Sequence, residues 1–282
     1  LSAFAVEFFY QIFGSRDWAY YLLSQIFVII SFVAIFRLAK VFFNNLNYAL
    51  LSIFLLEGIF FYNFTSPEFN VNIAQLPFWS LSAYFTYKCI KNDKVVDHFI
   101  LGLLIGLGFL SKYLFLYLIL SIKFYFIYLL INKKIKSFNF LIIGFVSFLV
   151  ILPHLVWLTE NNFISLFYGL QRTGGNEGFT NHVINPLIFV LKQLGILLPF
   201  FLMAYFSLHK KKYFKFHLDE KMTFLLFIFL LPILLMILTS ILMGAKIRTM
   251  WMTPFYLLIS IMFIQIFKKS INLNNLKKFY II

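Results

Sequence analysis

Residues 99–131 read FILGLLIGLGFLSKYLFLYLILSIKFYFIYLLI, a nearly unbroken apolar run with Lys112 near its middle. A bilayer core is spanned by about 20 apolar residues, so this run is too long for one membrane helix. Basic residues precede the run and recur towards its end: Lys88, Lys91, Lys94, Lys123, Lys133, Lys134 and Lys136. Cytoplasmic loops carry an excess of lysine and arginine, so both ends of the run are predicted to be cytoplasmic. The run is therefore predicted to form a helical hairpin that turns at Leu110–Tyr113.

The predicted turn places Lys112 at or just below the outer membrane surface. An ionisable group at that depth costs a few kcal/mol unless it reaches the surface or meets an anion. Two interpretations stay open: a lysine that extends its ammonium into the headgroup layer, or a cation with a function.

The whole composition is that of a membrane protein. The chain is 62% hydrophobic and 12% charged, with a mean hydropathy of +0.90, far from the mixture of a soluble domain. Its net charge of +14 would suggest nucleic acid in a soluble protein. The lysines here separate apolar runs, so they indicate membrane-surface charge and no nucleic-acid partner.

The apolar runs predict an all-α, polytopic membrane protein with about nine crossings in a single domain, residues 1–282. Residues 1–13 are too short to span and contain Glu7, so they are predicted to be an interfacial helix. Residues 159–182 form the longest polar segment and are predicted to be an outer loop whose glycine-rich tip acts as a flexible lid.

The distribution of charge predicts the orientation. All but six of the 24 basic residues fall on the predicted cytoplasmic side. The six exceptions are Arg16, Lys112, Arg172, Lys192, Lys246 and Arg248. Acids, amides and these isolated cations gather on the outer side, where we expect the functional site.

Several familiar chemistries are excluded by their missing motifs. The sequence has no phosphate-binding glycine loop followed by Lys-Ser/Thr, no helical zinc pair and no Gly-x-Ser-x-Gly elbow. Its single cysteine, Cys89, excludes an internal disulfide and a cysteine metal site. His154 and His182 could bind a metal, but an isolated histidine near an interface is more often only hydrogen-bonded.

Five segments, in order, resemble the bacterial membrane glycosyltransferases of family 39, relatives of protein O-mannosyltransferases and of the lipid A aminoarabinose transferase. They are LSAFAVEFFYQIFGSRDWAYYLL (1–23), NVNIAQLPFWSLSAYF (70–85), GLLIGLGFLSKYLFLYLIL (102–120), LPHLVWLTENNFISL (152–166) and KIRTMWMTPFYLLIS (246–260). The third is similar to the family's Gly-x-x-x-Gly-Leu-x-x-Leu-(Ser/Thr)-Lys-Tyr run.

The resemblance implies the GT-C architecture and transfer of a sugar from a polyprenyl-phosphate donor, by inversion, to a glycan, lipid or protein of the cell envelope. It implies that the reaction takes place at the outer face of a bacterial inner membrane, in contact with membrane lipids. It also implies that no cofactor is needed, although a requirement for a divalent metal is left open. Cations suited to the lipid phosphate are Lys112, Arg172, Lys246 and Arg248. Side chains suited to sugar or acceptor hydroxyls are Glu68, Asn70, Asn72, Glu160, Asn161 and His182.

The sequence also departs from the family pattern. The family's first helix, first outer loop and catalytic acid would precede Leu1, so the catalytic residue is not assigned. Tyr21 stands where relatives have arginine, Asn72 where they have aspartate, and Arg248 where they often have histidine. Two alternatives to an active enzyme therefore stay open: a catalytically inactive remnant, and a transporter or flippase of lipid-linked saccharide. The latter predicts internal repeats and broken helices meeting at mid-membrane, and we find no clear repeat.

Overall fold

The computed structural model describes residues 1–135, 137–173, 178–208 and 217–271, with only the backbone at 172 and 173. These residues form helices and one isolated bridge, between Leu208 and Ile271, with no β-strand among them. The prediction of an all-α polytopic membrane protein is confirmed.

The first part of the chain forms nine helices. They are α1 (Ser2–Phe13), α2 (Asp17–Phe43), α3 (Leu46–Leu56), α4 (Phe60–Asn63), α5 (Val71–Ala74), α6 (Leu76–Asn92), α7 (Val95–Ser111), α8 (Leu116–Ile131) and α9 (Phe140–Glu160). A 3₁₀ turn, Tyr113–Phe115, precedes α8. Residues 1–13 are helical as predicted; their placement at the membrane interface stays a prediction.

The second part is more broken. It contains α10 (Ile164–Thr173), α11 (Asn181–Ile196), α12 (Leu198–Phe206), α13 (Glu220–Leu225), α14 (Leu231–Met243) and α15 (Ile259–Phe267). A π-helical turn, Leu226–Leu230, joins α13 to α14, and a 3₁₀ helix, Thr249–Tyr256, precedes α15. Pro232 follows the π turn; it has no amide hydrogen and its ring crowds the preceding turn, which favours a wider turn there.

In the described part of the chain, four helical segments are long and apolar enough to cross a membrane: Asp17–Phe43, Tyr113–Ile131, Phe140–Glu160 and Glu220–Met243. The count rises to six if two bent pairs each form one span, α11 with α12 (45°) and Thr249–Tyr256 with α15 (53°). The predicted nine crossings also include α3, α6 and α7, which are 11, 17 and 17 residues long. These three are shorter than the roughly 20 residues of a full span, so nine stays a prediction.

The run 99–131 breaks where it was predicted to turn. Helix α7 ends at Ser111, and Lys112 is extended, with φ −166° and ψ 135°. A Cβ added at Gly102 would lie 2.8 Å from Val146 Cβ, and one at Gly106 would lie 2.6 Å from Val150 Cβ. These pairs advance in the same sense, so α7 and α9 run parallel, and α8 between them runs back. The predicted hairpin is confirmed, and the glycines of α7 let it pack closely against α9.

The helices place two sets of polar groups at opposite ends. At what we call the lysine-rich end, Ser137 Oγ donates to Asp93 Oδ1 at 2.7 Å, and Lys134 Nζ donates to Glu220 Oε1 at 3.1 Å. At the opposite end, which we call the Lys112 end, Tyr62 donates its hydroxyl hydrogen to the Thr253 carbonyl at 2.6 Å. Between the two ends lies an aromatic core around Trp79, whose ring contacts Phe115 and Phe255.

Two predicted segments differ from the structure. The apolar run 48–61, which is one of the nine predicted crossings, is interrupted after Leu56; the helix resumes at Phe60, and Glu57 is the C-cap residue of the first piece. The predicted outer loop 159–182 contains the helix α10. Its predicted glycine tip, residues 174–176, lies outside the described residues.

Candidate functional site

A cavity of about 1890 Å³ opens at the Lys112 end. Its walls come from the α5 region, the break between α7 and α8, α10, α11, α14 and the segment before Trp251. Of the residues proposed from sequence, the cavity brings together Lys112, Lys246, Arg248, Glu68, Asn70 and Asn72. Its remaining lining is mostly apolar, as in most small-molecule sites.

Lys112 is held in place by two neighbours. Its Nζ donates to Asn72 Oδ1 at 2.5 Å and lies 5.4 Å from the centre of the Trp251 ring. Among the described residues no carboxylate forms an ion pair with it. Burial lowers the pKa of Lys112 to about 7, because the charged form loses water without gaining an anion. Lys112 is thus an oriented cation with no counter-charge among the described residues.

Asn72 owes its position to the start of α5. Asn70 caps this short helix: its Oδ1 accepts from the backbone N–H of Asn72 at 2.8 Å and of Ile73 at 3.4 Å. The loop before it is fixed on α2, because Ser24 Oγ donates to the Ser66 carbonyl at 2.5 Å. Asn70 was proposed as a sugar or acceptor ligand; its side-chain oxygen is engaged in the cap, and the proposed role stays a prediction.

Lys246 and Arg248 reach the cavity from an extended segment. Gly244, with φ +60°, ends α14 in the left-handed conformation that glycine adopts without strain. The next residues alternate: Ala245 and Ile247 are buried, while Lys246 and Arg248 are exposed and line the cavity. The segment is anchored, since Asn185 Nδ2 donates to the Gly244 carbonyl at 2.7 Å and Ser240 Oγ donates to the Ala245 carbonyl at 2.8 Å.

A further polar pair lies beside Lys112. The Tyr113 hydroxyl and His154 Nε2 are 2.8 Å apart, and both residues line the cavity. The His154 ring stacks on Trp157, with the ring centres 5.7 Å apart. His154 is therefore hydrogen-bonded, as expected for an isolated histidine, and it joins α9 to the hairpin turn.

Lys192 also lines the cavity, one helical turn from Ile196 on α11. The sequence marked it as an isolated cation on the outer side but gave it no role. The signal that could have found it is a charge in the middle of an apolar helix, which indicates a functional site by default.

Glu68 lies between two pockets. It lines the large cavity and also a smaller one of about 350 Å³, whose other lining residues include Asp17, Tyr20 and Tyr21. The large cavity thus carries mainly cations, and the smaller pocket carries carboxylates and tyrosines. Carboxylates and tyrosines suit hydroxyl-rich ligands.

Three further predicted site residues, Glu160, Asn161 and His182, are not in the described lining of the cavity. Glu160 and Asn161 end α9 and are exposed. His182 begins α11, where its Nδ1 lies 2.7 Å from the Ile241 carbonyl. The Arg172 side chain lies outside the described residues. The proposed roles of these four residues stay predictions.

Helix α10 forms a wall of the cavity that sequence reasoning missed. Ile164, Leu166, Tyr168 and Leu170 contribute to the lining. The apolar residues Phe163, Phe167 and Leu170 recur at helical spacing, a signal that the polarity of the surrounding segment obscured. In the described part of the chain no group of three or more His, Cys, Asp or Glu side chains could hold a metal ion; the prediction that no cofactor is required stays untested.

Residues 1–157 match the family model described as dolichyl-phosphate-mannose-protein mannosyltransferase. The matched region is more than half of the chain and includes Glu68, Asn72, Lys112 and His154. No curated protein and no solved structure matches the chain.

Proposed function

The chain belongs to the dolichyl-phosphate-mannose-protein mannosyltransferase family, and on that premise we propose that it transfers a sugar from a polyprenyl-phosphate donor to a cell-envelope acceptor. The acceptor is a glycan, a lipid or a protein. The site faces the outer side of the membrane, in keeping with the basic residues that gather at the opposite end.

The observation that carries this proposal is the state of Lys112. Its ammonium is oriented by Asn72 and Trp251 and lines a largely apolar cavity, and no described carboxylate pairs with it. A lipid phosphate supplies the missing negative charge, and the apolar lining accommodates the first isoprene units. Lys246 and Arg248 stand on the same cavity and add donors for the phosphate oxygens.

Such an arrangement supports direct displacement at the sugar. The acceptor hydroxyl oxygen attacks the anomeric carbon, and the bond from that carbon to the phosphate oxygen breaks. The polyprenyl phosphate leaves with the bonding electrons, and the hydroxyl proton passes to water or to the released phosphate. Cations at the departing phosphate stabilise its growing charge. The acceptor lies on the side of the smaller pocket, where Glu68 and Asp17 accept hydrogen bonds from its hydroxyls.

Replacement of Lys112 by methionine tests the proposal, because it keeps the apolar stem and removes the charge. We expect Lys112→Met to weaken binding of polyprenyl phosphate at least about tenfold, equivalent to 1.4 kcal/mol. The measurement is titration of the purified chain in nanodiscs. Lys123→Met is the matched control, since Lys123 lies on α8 outside the cavity lining, and it should bind like the parent. Equal binding by both variants and the parent would mean that Lys112 only extends its ammonium into the headgroup layer and does not bind the lipid phosphate.

A further inference from the structure

Four aromatic side chains form a continuous strip at the lysine-rich end, away from the cavity. Phe42 and Phe43 end α2, Tyr48 lies in the first turn of α3, and Tyr87 lies near the end of α6. The ring centres of successive members, in the order Tyr87, Phe42, Phe43 and Tyr48, are 5.4, 5.2 and 5.7 Å apart. Aromatic side chains near the ends of membrane helices favour the level of the lipid headgroups.

Two lysines that are distant in the chain place their ammonium groups over this strip. Lys221 Nζ lies 5.2 Å from the centre of the Phe42 ring and donates to the Phe42 carbonyl. Lys268 Nζ lies 5.9 Å from the centre of the Phe43 ring and 5.6 Å from that of Tyr48. The Tyr48 hydroxyl also donates to the Lys268 carbonyl at 3.2 Å, which fixes the backbone there. Both lysines are therefore held in place by specific contacts.

Lys91 completes what we call the lysine cluster: Lys91, Lys221 and Lys268. Its Nζ lies 6.0 Å from the centre of the Tyr87 ring. Lys221 is repelled by the charges of Lys268 and Lys91, so the three ammonium groups are close enough to act on one another. No described carboxylate lies within 4.0 Å of any of them. The face of an aromatic ring attracts an ammonium group but does not neutralise its charge.

The acids near the lysine cluster already have other partners. Asp219 is the N-cap of α13, where its Oδ1 accepts from a backbone N–H of the first turn at 2.7 Å. Its Oδ2 accepts from Gln265 Nε2 at 3.2 Å. Glu220 Oε1 accepts from Lys134 Nζ at 3.1 Å. Three mutually repelling cations without an ion-pair partner among the described residues form a site for an added anion.

We propose that the lysine cluster binds the headgroup of an anionic phospholipid through its phosphate. Phosphate oxygens accept charge-assisted hydrogen bonds from ammonium groups, and basic pockets between membrane helices bind anionic headgroups. The exposed apolar side chains of Val41 and Leu46 flank the strip on α2 and α3; they offer acyl chains a surface that a soluble phosphate does not need. The bound headgroup joins α6, α13 and the segment after α15. This site is independent of the proposed function.

The test compares phosphatidylglycerol with phosphatidylcholine of the same acyl chains, because both carry a phosphate but only the first has a net negative charge. The full chain in detergent is titrated with each lipid, and bound lipid is measured by native mass spectrometry. We expect the parent to bind phosphatidylglycerol at least about tenfold more tightly than phosphatidylcholine. The double variant Lys221→Met with Lys268→Met should lose this preference. Lys268→Met alone, at an exposed side chain, should reduce it at least about threefold.

The matched control is Lys94→Met with Lys269→Met, which removes two charges from exposed lysines at the same end but outside the lysine cluster. It should keep the parent's preference. An equal loss in this control would mean that diffuse surface charge attracts the lipid, and the proposed site would be wrong; a parent without any preference would overturn it as well. Glycerol 3-phosphate at the concentration of the lipid should not displace it. If it does, the lysine cluster binds a soluble phosphate and the lipid site is wrong.

Discussion

At the scale of single residues, Lys112 is largely buried, and no carboxylate among the described residues pairs with it. Its pKa of about 7 means that the free site holds the ammonium below that pH and the neutral amine above it. A bound phosphate stabilises the ammonium, so binding above pH 7 requires the uptake of a proton. Each pH unit above the pKa of the free lysine then lowers affinity by up to about tenfold, or 1.36 kcal/mol. The site is therefore expected to bind its anion more tightly in mildly acidic conditions.

We expect a dialkyl phosphate lipid, whose charge does not titrate in this range, to bind more weakly at about pH 8 than at about pH 6. The other titratable and charged groups in the described lining of the cavity are Glu68, His154, Lys192, Lys246, Arg248 and the tyrosines Tyr113, Tyr117 and Tyr168. Because His154 lines the same cavity, the comparison is repeated in Lys112→Met. This variant should lose most of the pH dependence. If it kept the full slope, the effect would belong to His154 and not to Lys112.

Residue-level prediction succeeded where a charge was conspicuous. Lys112 is the charge in the middle of the long hairpin run, and a charge there demands an explanation from sequence alone. The partners that orient it, Asn72 and Trp251, are 40 and 139 positions away in the chain. Lys192 was noticed but not assigned, because the pattern of α11 does not tell which face meets the cavity.

At the scale of helices, the contact between α7 and α9 depends on glycine. A Cβ at Gly106 would lie 2.6 Å from Val150 Cβ, closer than van der Waals contact allows, whereas a Cβ at Gly144 on α9 meets nothing within 4 Å. We expect Gly106→Ala to lower the free energy of unfolding by about 1–3 kcal/mol through overpacking. Thermal unfolding in detergent measures this change.

Gly144→Ala is the control for this comparison. It adds the same methyl group to the partner helix on an open face, and alanine favours the helix over glycine by about 0.5–1 kcal/mol. Its unfolding temperature should equal or exceed that of the parent. Equal unfolding temperatures for the two variants would mean that α7 and α9 separate easily, against the packing described above.

Some of the helices could be predicted from the sequence pattern, and others could not. The hairpin was predictable because length and flanking charge fixed its two legs and its turn. Helix α10 was not predictable, because its segment is polar enough to resemble a loop. Its place in the cavity wall is a tertiary feature that the local sequence does not show. The interruption of the apolar run 48–61 after Leu56 was also missed, because apolar composition does not mark where a helix ends. At this interruption α12 packs so closely that a Cβ at Gly58 would lie 2.9 Å from Phe200 Cα.

At the scale of the whole molecule, charge orients the protein in the membrane. We expect Arg248 to face the non-cytoplasmic side and Lys134 the cytoplasm, because basic residues collect at the cytoplasmic end. Single cysteines at these positions, in a chain whose buried Cys89 is replaced by alanine, are treated with an impermeant thiol reagent in intact cells. Position 248 should react and position 134 should not.

The reverse labelling pattern would invert the molecule and remove the proposed site from the outer face. Lys134 suits the comparison because it lies at the lysine-rich end, where its ammonium pairs with Glu220. Position 212, another residue predicted to face the cytoplasm, lies outside the described residues. The all-α class was fixed by composition, whereas the number of crossings depends on whether short helices such as α3 reach across the bilayer.

The π-helical turn at Leu226–Leu230 determines in which direction around the helix axis the side chains of α14 point. One residue inserted into an α-helix rotates the downstream side chains by about 100° relative to the upstream ones. Met236, Thr239 and Met243, spaced to share one face, point into the cavity in this phase. Without the extra residue they would turn towards a different neighbour, and the Tyr117 hydroxyl would lose Thr239. The shape of the cavity therefore depends on the number of residues in this turn as well as on their chemistry. A single-residue deletion within 226–230 would alter the site more than most substitutions.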